Sequence, residues 1–179
     1  MNDQRMKNQR EMKRVEAVLA SASYKMYMDK IAELESERRF CRHDRSHCWE
    51  TARTAAILFL LGEVPCPELC GYSEEQACEL IYAAAFLHDI GRFREYEDAA
   101  KDHAVEGAML ARPLLEEAGF AEAETDLILS AIAHHRRKDN AGFDLLLSRA
   151  DKESRPCCDC HALADCKNYR NGGKPKITV

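Results

Sequence analysis

His88 and Asp89 end the apolar run Leu80-Ile81-Tyr82-Ala83-Ala84-Ala85-Phe86-Leu87 and precede Ile90-Gly91-Arg92. An imidazole and a carboxylate at the end of a buried segment lose hydration energy unless something pairs with them. A divalent transition metal suits both groups at once. Further candidate ligands flank the pair: His47 before it, and His103, His134, His135 and Asp151 after it. Fe, Mn, Co, Ni or Zn fits so nitrogen-rich a set better than Mg or Ca does. Bound in this way, such an ion would make a nucleophile of water near neutral pH and act as a Lewis acid. Arg92, just past the pair, is the first candidate to meet the developing negative charge. Lys138 and Lys152 are further candidate substrate contacts, with Arg136 and Arg137 beside them.

Each candidate ligand continues an apolar stripe at helical spacing. His47 follows the stripe of Thr51, Thr54, Leu58 and Leu61, and His88 that of Ile81 and Ala85. Asp89 follows Cys78 and Tyr82, and His103 follows Gly107, Leu110 and Leu114. His135 follows Ile128 and Ala131, and Asp151 follows Leu147. A helical bundle that buries these stripes brings the ligands together from different helices. His134 lies about 100° of helix rotation from His135 and is an open candidate. His43, a turn before His47, reads as a surface or supporting residue. Gly107 reads as a point of close helix approach.

The order H…HD…H…HH…D resembles the HD superfamily of metal-dependent phosphohydrolases, over about His43 to Lys152. The resemblance implies an all-α HD-domain bundle in which His47, His88, Asp89 and Asp151 hold one ion. In two-metal members Asp89 would bridge to a second ion held by His103, His135 and, as an alternative, His134. The implied activity is hydrolysis of a small, nucleotide-like phosphate ester by a metal-activated water, with Asp89 and Arg92 at the chemistry. The alternative is a regulatory module that binds metal and ligand without turnover. The chain departs from the HD-GYP branch: His134-His135-Arg136 lacks that branch's Glu, and Gly142-Phe143 lacks its Tyr and Pro. It resembles instead the small stand-alone bacterial HD hydrolases, some of which split dinucleoside polyphosphates.

The expected elements run in series. One long amphipathic helix over about Glu11 to Arg39 packs on the domain as a 1–40 unit, a possible homodimer surface. The core covers 41–153, with helices over about Asp44 to Leu61, Ser73 to Asp89, Lys101 to Ala118, Ala121 to His135 and Phe143 to Lys152. Ser73 and Gln76 form a capping box, Gly62 and Gly119 are stops, and Gly91 to Ala99 reads as a loop. A Cys-rich tail covers 154–179 and turns basic and Gly-containing at its end.

The 179 residues suffice for one sizeable core, and the net charge of −5 gives no nucleic-acid footprint. No apolar run reaches the roughly 18 residues of a membrane span, and no signal-peptide pattern opens the chain, so a cytoplasmic setting is expected. In that setting nine cysteines point to thiols or metal ligands rather than disulfides. Cys48 and Cys78 read as small core residues. Cys157-x2-Cys160-x5-Cys166 has metal-ligand spacing, for structural zinc or an iron–sulfur cluster. The fourth ligand is open among Cys158, His161 and Cys41, with Cys41 favoured because it precedes the His47 helix as Cys157 follows Asp151.

Overall fold

A computed structural model describes residues 12–170. These fold into helices without strands, as an all-α bundle requires. The expected start of the first helix at Glu11 and the basic end of the tail from 171 on lie outside the described residues.

The helix that carries the metal-ligand pair lies at the centre. Helix α4 (Glu74–Leu87) buries Leu80, Ile81 and every residue from Ala83 to Leu87. A helix apolar on nearly all sides must be covered on all sides. Helices α3 (Arg45–Leu60), α6 (His103–Glu117), α7 (Glu122–His134) and α8 (Gly142–Glu153) provide that cover, with α3 against α4 and α6 against α7 the broadest contacts. Local chemistry sets the ends. Ser73 and Gln76 form the expected capping box on α4. Asp44 and Asp102 cap α3 and α6 through the backbone N–H groups of His47 and Ala104. Gly62, at φ +70°, stops α3.

The amino-terminal segment is two helices, not the single long one expected. Helix α1 (Lys13–Ala20) ends at Ser21, whose backbone is extended and whose Oγ accepts from the Tyr24 N–H to start α2 (Ala22–Leu34). A serine that offers its own hydroxyl to the backbone competes with helix continuation. The pair packs on the common core through Val15, Val18, Tyr24, Met28 and Ile31, while Leu34 faces solvent. Arg14 clamps α1 down, reaching Glu79 of α4 at 2.8 Å and Glu124 of α7 at 2.5 Å.

The segment read as a loop after Gly91 is also helical: α5 (Arg92–Glu97). Phe93 is buried and stacks on Tyr27 of α2 at 5.5 Å between ring centroids, so a tertiary contact holds a turn too short to persist alone. Three-ten turns at Pro67–Leu69, Cys157–Asp159 and Leu163–Asp165 and a short α9 (Lys167–Arg170) complete the described chain.

Helix α6 comes closest to the His88-Asp89 turn at Gly91. A Cβ there would collide with the His103 carbonyl and the Gly107 backbone, whereas one on Gly107 would meet its neighbours at 3.5 Å, an ordinary contact. The close approach expected at Gly107 is therefore enforced from Gly91. Gly91→Ala is expected to cost roughly 1–3 kcal/mol or more, as overpacking does. Gly107→Ala should stay within about 1 kcal/mol, because helix propensity favours Ala by a similar amount. Thermal melting of the two variants side by side checks the contrast.

Candidate metal centre

All the ligand candidates lie near helix ends. His47 stands in the first turn of α3 and His103 opens α6. His88 and His135 are the C-terminal caps of α4 and α7, and Asp151 lies in the last turn of α8. At the two caps the same device recurs. A helix leaves its last carbonyls without intrahelical partners. The Nδ1–H of His88 donates to the Ala85 carbonyl and that of His135 to the Ile132 carbonyl, each at 2.7 Å. This pairing turns Nε2 of both rings towards the site. The His103 Nδ1 is held by the Glu95 carboxylate at 2.5 Å, and that of His47 lies 3.4 Å from the Thr51 hydroxyl. Such partners orient imidazoles for a metal.

Two groups result, each with its ligand atoms within 4.8 Å of one another: His47, His88, Asp89 and Asp151, and Asp89, His103 and His135. Asp89 belongs to both. Its Oδ2 is 2.9 Å from His88 Nε2 and 3.7 Å from His47 Nε2, and its Oδ1 is 3.4 Å from His103 Nε2. Asp151 Oδ1 lies 3.0 Å from His47 Nε2. The cluster is almost dry, with His88 and Asp89 both at or below 1% exposure. Yet His88 Nε2, Asp89 Oδ2 and His103 Nε2 make no hydrogen bond. Orphaned polar atoms at this depth are costly, and their convergence without mutual hydrogen bonds is what ligands of a shared cation produce. The donor set therefore fits a divalent metal, and Asp89 is the ligand candidate common to both groups.

Asp89 and Asp151 draw positive charge to the site. Burial works to lower the His88 pKa, but Asp89 and Asp151 outweigh it and push it up to about 10. Burial works to raise Asp89 and Asp151, and the surrounding histidines, with Arg92 beside Asp89, hold both well below the usual carboxylate range. Burial brings His47 and His135 down to about 4, keeping them neutral as ligands must be.

His134 joins neither group. One residue of helix rotation turns it away from His135 towards α8, where Asp144 meets its Nδ1 at 2.7 Å. His43 is buried rather than on the surface: Glu35 takes its backbone N–H at 2.7 Å and its Nδ1 at 2.6 Å, and also accepts from the Tyr96 hydroxyl. Arg92 donates to Asp89 Oδ1 at 3.0 Å. Arg155, which sequence reasoning missed, donates to Asp151 Oδ1 at 2.9 Å. Its place one helical turn after Asp151 was the available signal. Glu95, also missed, stands eight residues before the His103 it holds, with no helical spacing to announce it.

A cavity of about 720 Å³ opens beside the ligands, and Arg38, Arg92, Arg136, Lys152 and Arg155 line it with His43, His103, His135 and Asp151. Lys138 is not among its walls; it sits exposed in the turn before α8. Lys152 reaches the cavity while donating to Ser148 at 2.9 Å.

Residues 45–166 match the HD domain family model. The chain belongs to the HD family. That family lies within the metal-dependent phosphohydrolase superfamily, whose members are generally hydrolases. The chain is 31% identical over 155 residues to an uncharacterised protein of Clostridium beijerinckii, a match covering 87% of this chain and 92% of that protein. No solved structure matches it. Among the described residues, no helix of this HD protein is long and apolar enough to cross a membrane.

Asp89→Ala is expected to empty both positions, since one carboxylate serves both groups. His103→Ala and His135→Ala should each lose the second ion and keep the first. Elemental analysis of protein purified without chelator reads all three; unchanged stoichiometry in both histidine variants would mean a one-ion centre.

Proposed function

We propose that this HD protein hydrolyses a small phosphate ester of nucleotide type. The observation that carries the reading is Asp89, one oxygen towards each histidine group, behind a cavity that His103, His135 and Asp151 line together with arginines. When bound, the ions supply Lewis acidity and a nucleophilic water near neutral pH. The chain's own part is binding and placement. Arg92 and Arg155 each hold one site carboxylate and line the cavity, so each links a ligand to the place where substrate phosphate would lie. Arg136 reaches the same wall from the end of α7, anchored by Glu95 at 3.1 Å. Four guanidiniums around one cavity, Arg38 with these three, favour a multiply charged phosphate group, because planar forks pair with phosphate oxygens two at a time. The burial of Asp89 and His88 keeps bulk water from the ligand side of the centre. Substrate size follows from the cavity: about 720 Å³ admits a nucleotide-sized molecule and no folded macromolecule. A cytoplasmic setting, where such esters abound, is part of the same reading.

The test is a panel of nucleoside monophosphates, cyclic nucleotides, nucleoside polyphosphates and dinucleoside polyphosphates with added Mn²⁺, read as released phosphate or nucleotide. Turnover of one class supports the proposal. Thermal stabilisation by a nucleotide without any turnover would overturn it in favour of a regulatory module. Arg92→Ala is expected to lower kcat at least about tenfold, since a charge-assisted contact to a transition-state oxygen contributes roughly 2–4 kcal/mol. Metal content measured on the same preparation should fall less than kcat does.

A further inference from the structure

The segment after α8 is folded without a core of its own. Its turns are closed by backbone bonds: the Cys160 N–H donates to the Cys157 carbonyl, that of Leu163 to Cys160, and that of Cys166 to Leu163. Cys157 opens the first three-ten turn, and Cys160 and Cys166 cap the first and second. Yet the two turns and α9 bury none of their residues, and from 157 to 170 only Ala162 is buried. A segment that buries so little needs another kind of staple.

The segment is docked on residues 39–42. Arg155 donates to the Arg42 carbonyl at 3.2 Å and Arg39 pairs with Asp165, while Arg38 holds the Cys41 carbonyl from within the same segment at 2.8 Å. This docking brings Cys41 to the three tail cysteines. Cys41 and Cys157 line both the large cavity and a neighbouring one of about 440 Å³; Cys160 lines the smaller and Cys166 the larger. Burial, and then the thiols of Cys41, Cys160 and Cys166, push the Cys157 thiol up, so all three stand within electrostatic reach of it. Cys158 is exposed and lines neither cavity. All nine cysteines are free of disulfides.

We propose that Cys41, Cys157, Cys160 and Cys166 are the thiolate ligands of an iron–sulfur cluster at the edge of the HD cavity. The sulfurs are not gathered as tightly as the four ligands of one zinc ion would be. A single zinc ion holds four sulfurs at about 2.3 Å, which puts them roughly 4 Å from one another. Among the described residues, the ligand groups gathered within 4.8 Å are the two histidine–carboxylate sets, and these sulfurs form no such group. In an iron–sulfur cluster the thiolates are spread over several irons, so they stand farther apart. Each thiol loses its proton on ligation, and the iron compensates the charge that burial alone disfavours. The cluster is a staple that fastens the tail to the segment leading into the His47 helix, and it is separate from the histidine centre.

The experiment is anaerobic purification, then reconstitution with ferric iron, dithiothreitol and sulfide, read by iron, acid-labile sulfide and visible charge-transfer absorption. Wild type and Cys158→Ser are expected to carry iron and sulfide in similar amounts. Cys41→Ser and Cys160→Ser should lose the sulfide and the visible band, melt at a lower temperature and keep metal on the histidines. That retained metal, with an unchanged helical circular dichroism signal, shows that the variants are folded. Acid-labile sulfide separates this site from iron on the histidines. Reconstituted wild type without labile sulfide would overturn the proposal, as would stoichiometric zinc on the thiols. Cys41→Ser with wild-type sulfide would overturn the four-ligand assignment. None of these outcomes depends on phosphate-ester turnover.

Discussion

Asp89 is a carboxylate at about 1% exposure, at the end of a helix that is apolar on nearly every side. Its burial is tolerable only if positive charge surrounds it. His88 and Arg92 supply part of that charge, and both groups of candidate ligands share its oxygens. Much of the architecture answers to this requirement. Helices α3, α6, α7 and α8 pack on α4 so that each brings a ligand from one of its ends, and α5 places Arg92 and Glu95 beside them. The ends of helices suit the task because their unpaired carbonyls hold imidazoles in one orientation, as at Ala85 and Ile132.

The site has a second layer with a consistent logic. Each carboxylate of the candidate centre has an arginine one turn further along: Arg92 for Asp89 and Arg155 for Asp151. Those arginines also line the cavity, so the side chains that hold the site carboxylates also give the cavity wall its positive charge. Arg155 extends this coupling, since its second contact is to the Arg42 carbonyl beside Cys41. The tail, the segment before α3 and the last turn of α8 therefore meet at one guanidinium. Glu35 plays a comparable role on the other side, tying the end of α2 to His43 and Tyr96. Burial works to raise its pKa, but its bonds to His43 and Tyr96 prevail and hold it at about 2.

Much of this was legible in the sequence. Helical periodicity marked the main helices from Asp44 onwards, and the Ser73–Gln76 box and Gly62 marked ends, because caps and stops are local chemistry. The ligand candidates His47, His88, Asp89, His103, His135 and Asp151 were visible because each continues a buried stripe, and burial of a stripe dictates which way its last residue faces. The misreadings fall where local and distant forces compete. Ser21 divides the first helix because its hydroxyl favours a cap over a continued turn. The 92–97 segment lacks an apolar period, and it is helical because Phe93 finds Tyr27 of another helix.

What the sequence by itself determined is the class of the protein: a helical HD domain with a set of histidines and carboxylates ordered along one buried face. Only the tertiary structure decided between His134 and His135, since a step of about 100° matters only once the position of α8 and its Asp144 is known. Only it brought Glu95 to His103, made Gly91 rather than Gly107 the point of closest approach, and excluded Lys138 from the cavity wall. The same holds for Cys41 and the tail cysteines, which are more than a hundred residues apart in the chain. Spacing along a helix encodes direction on one element, whereas distance between elements is a property of how their faces pack.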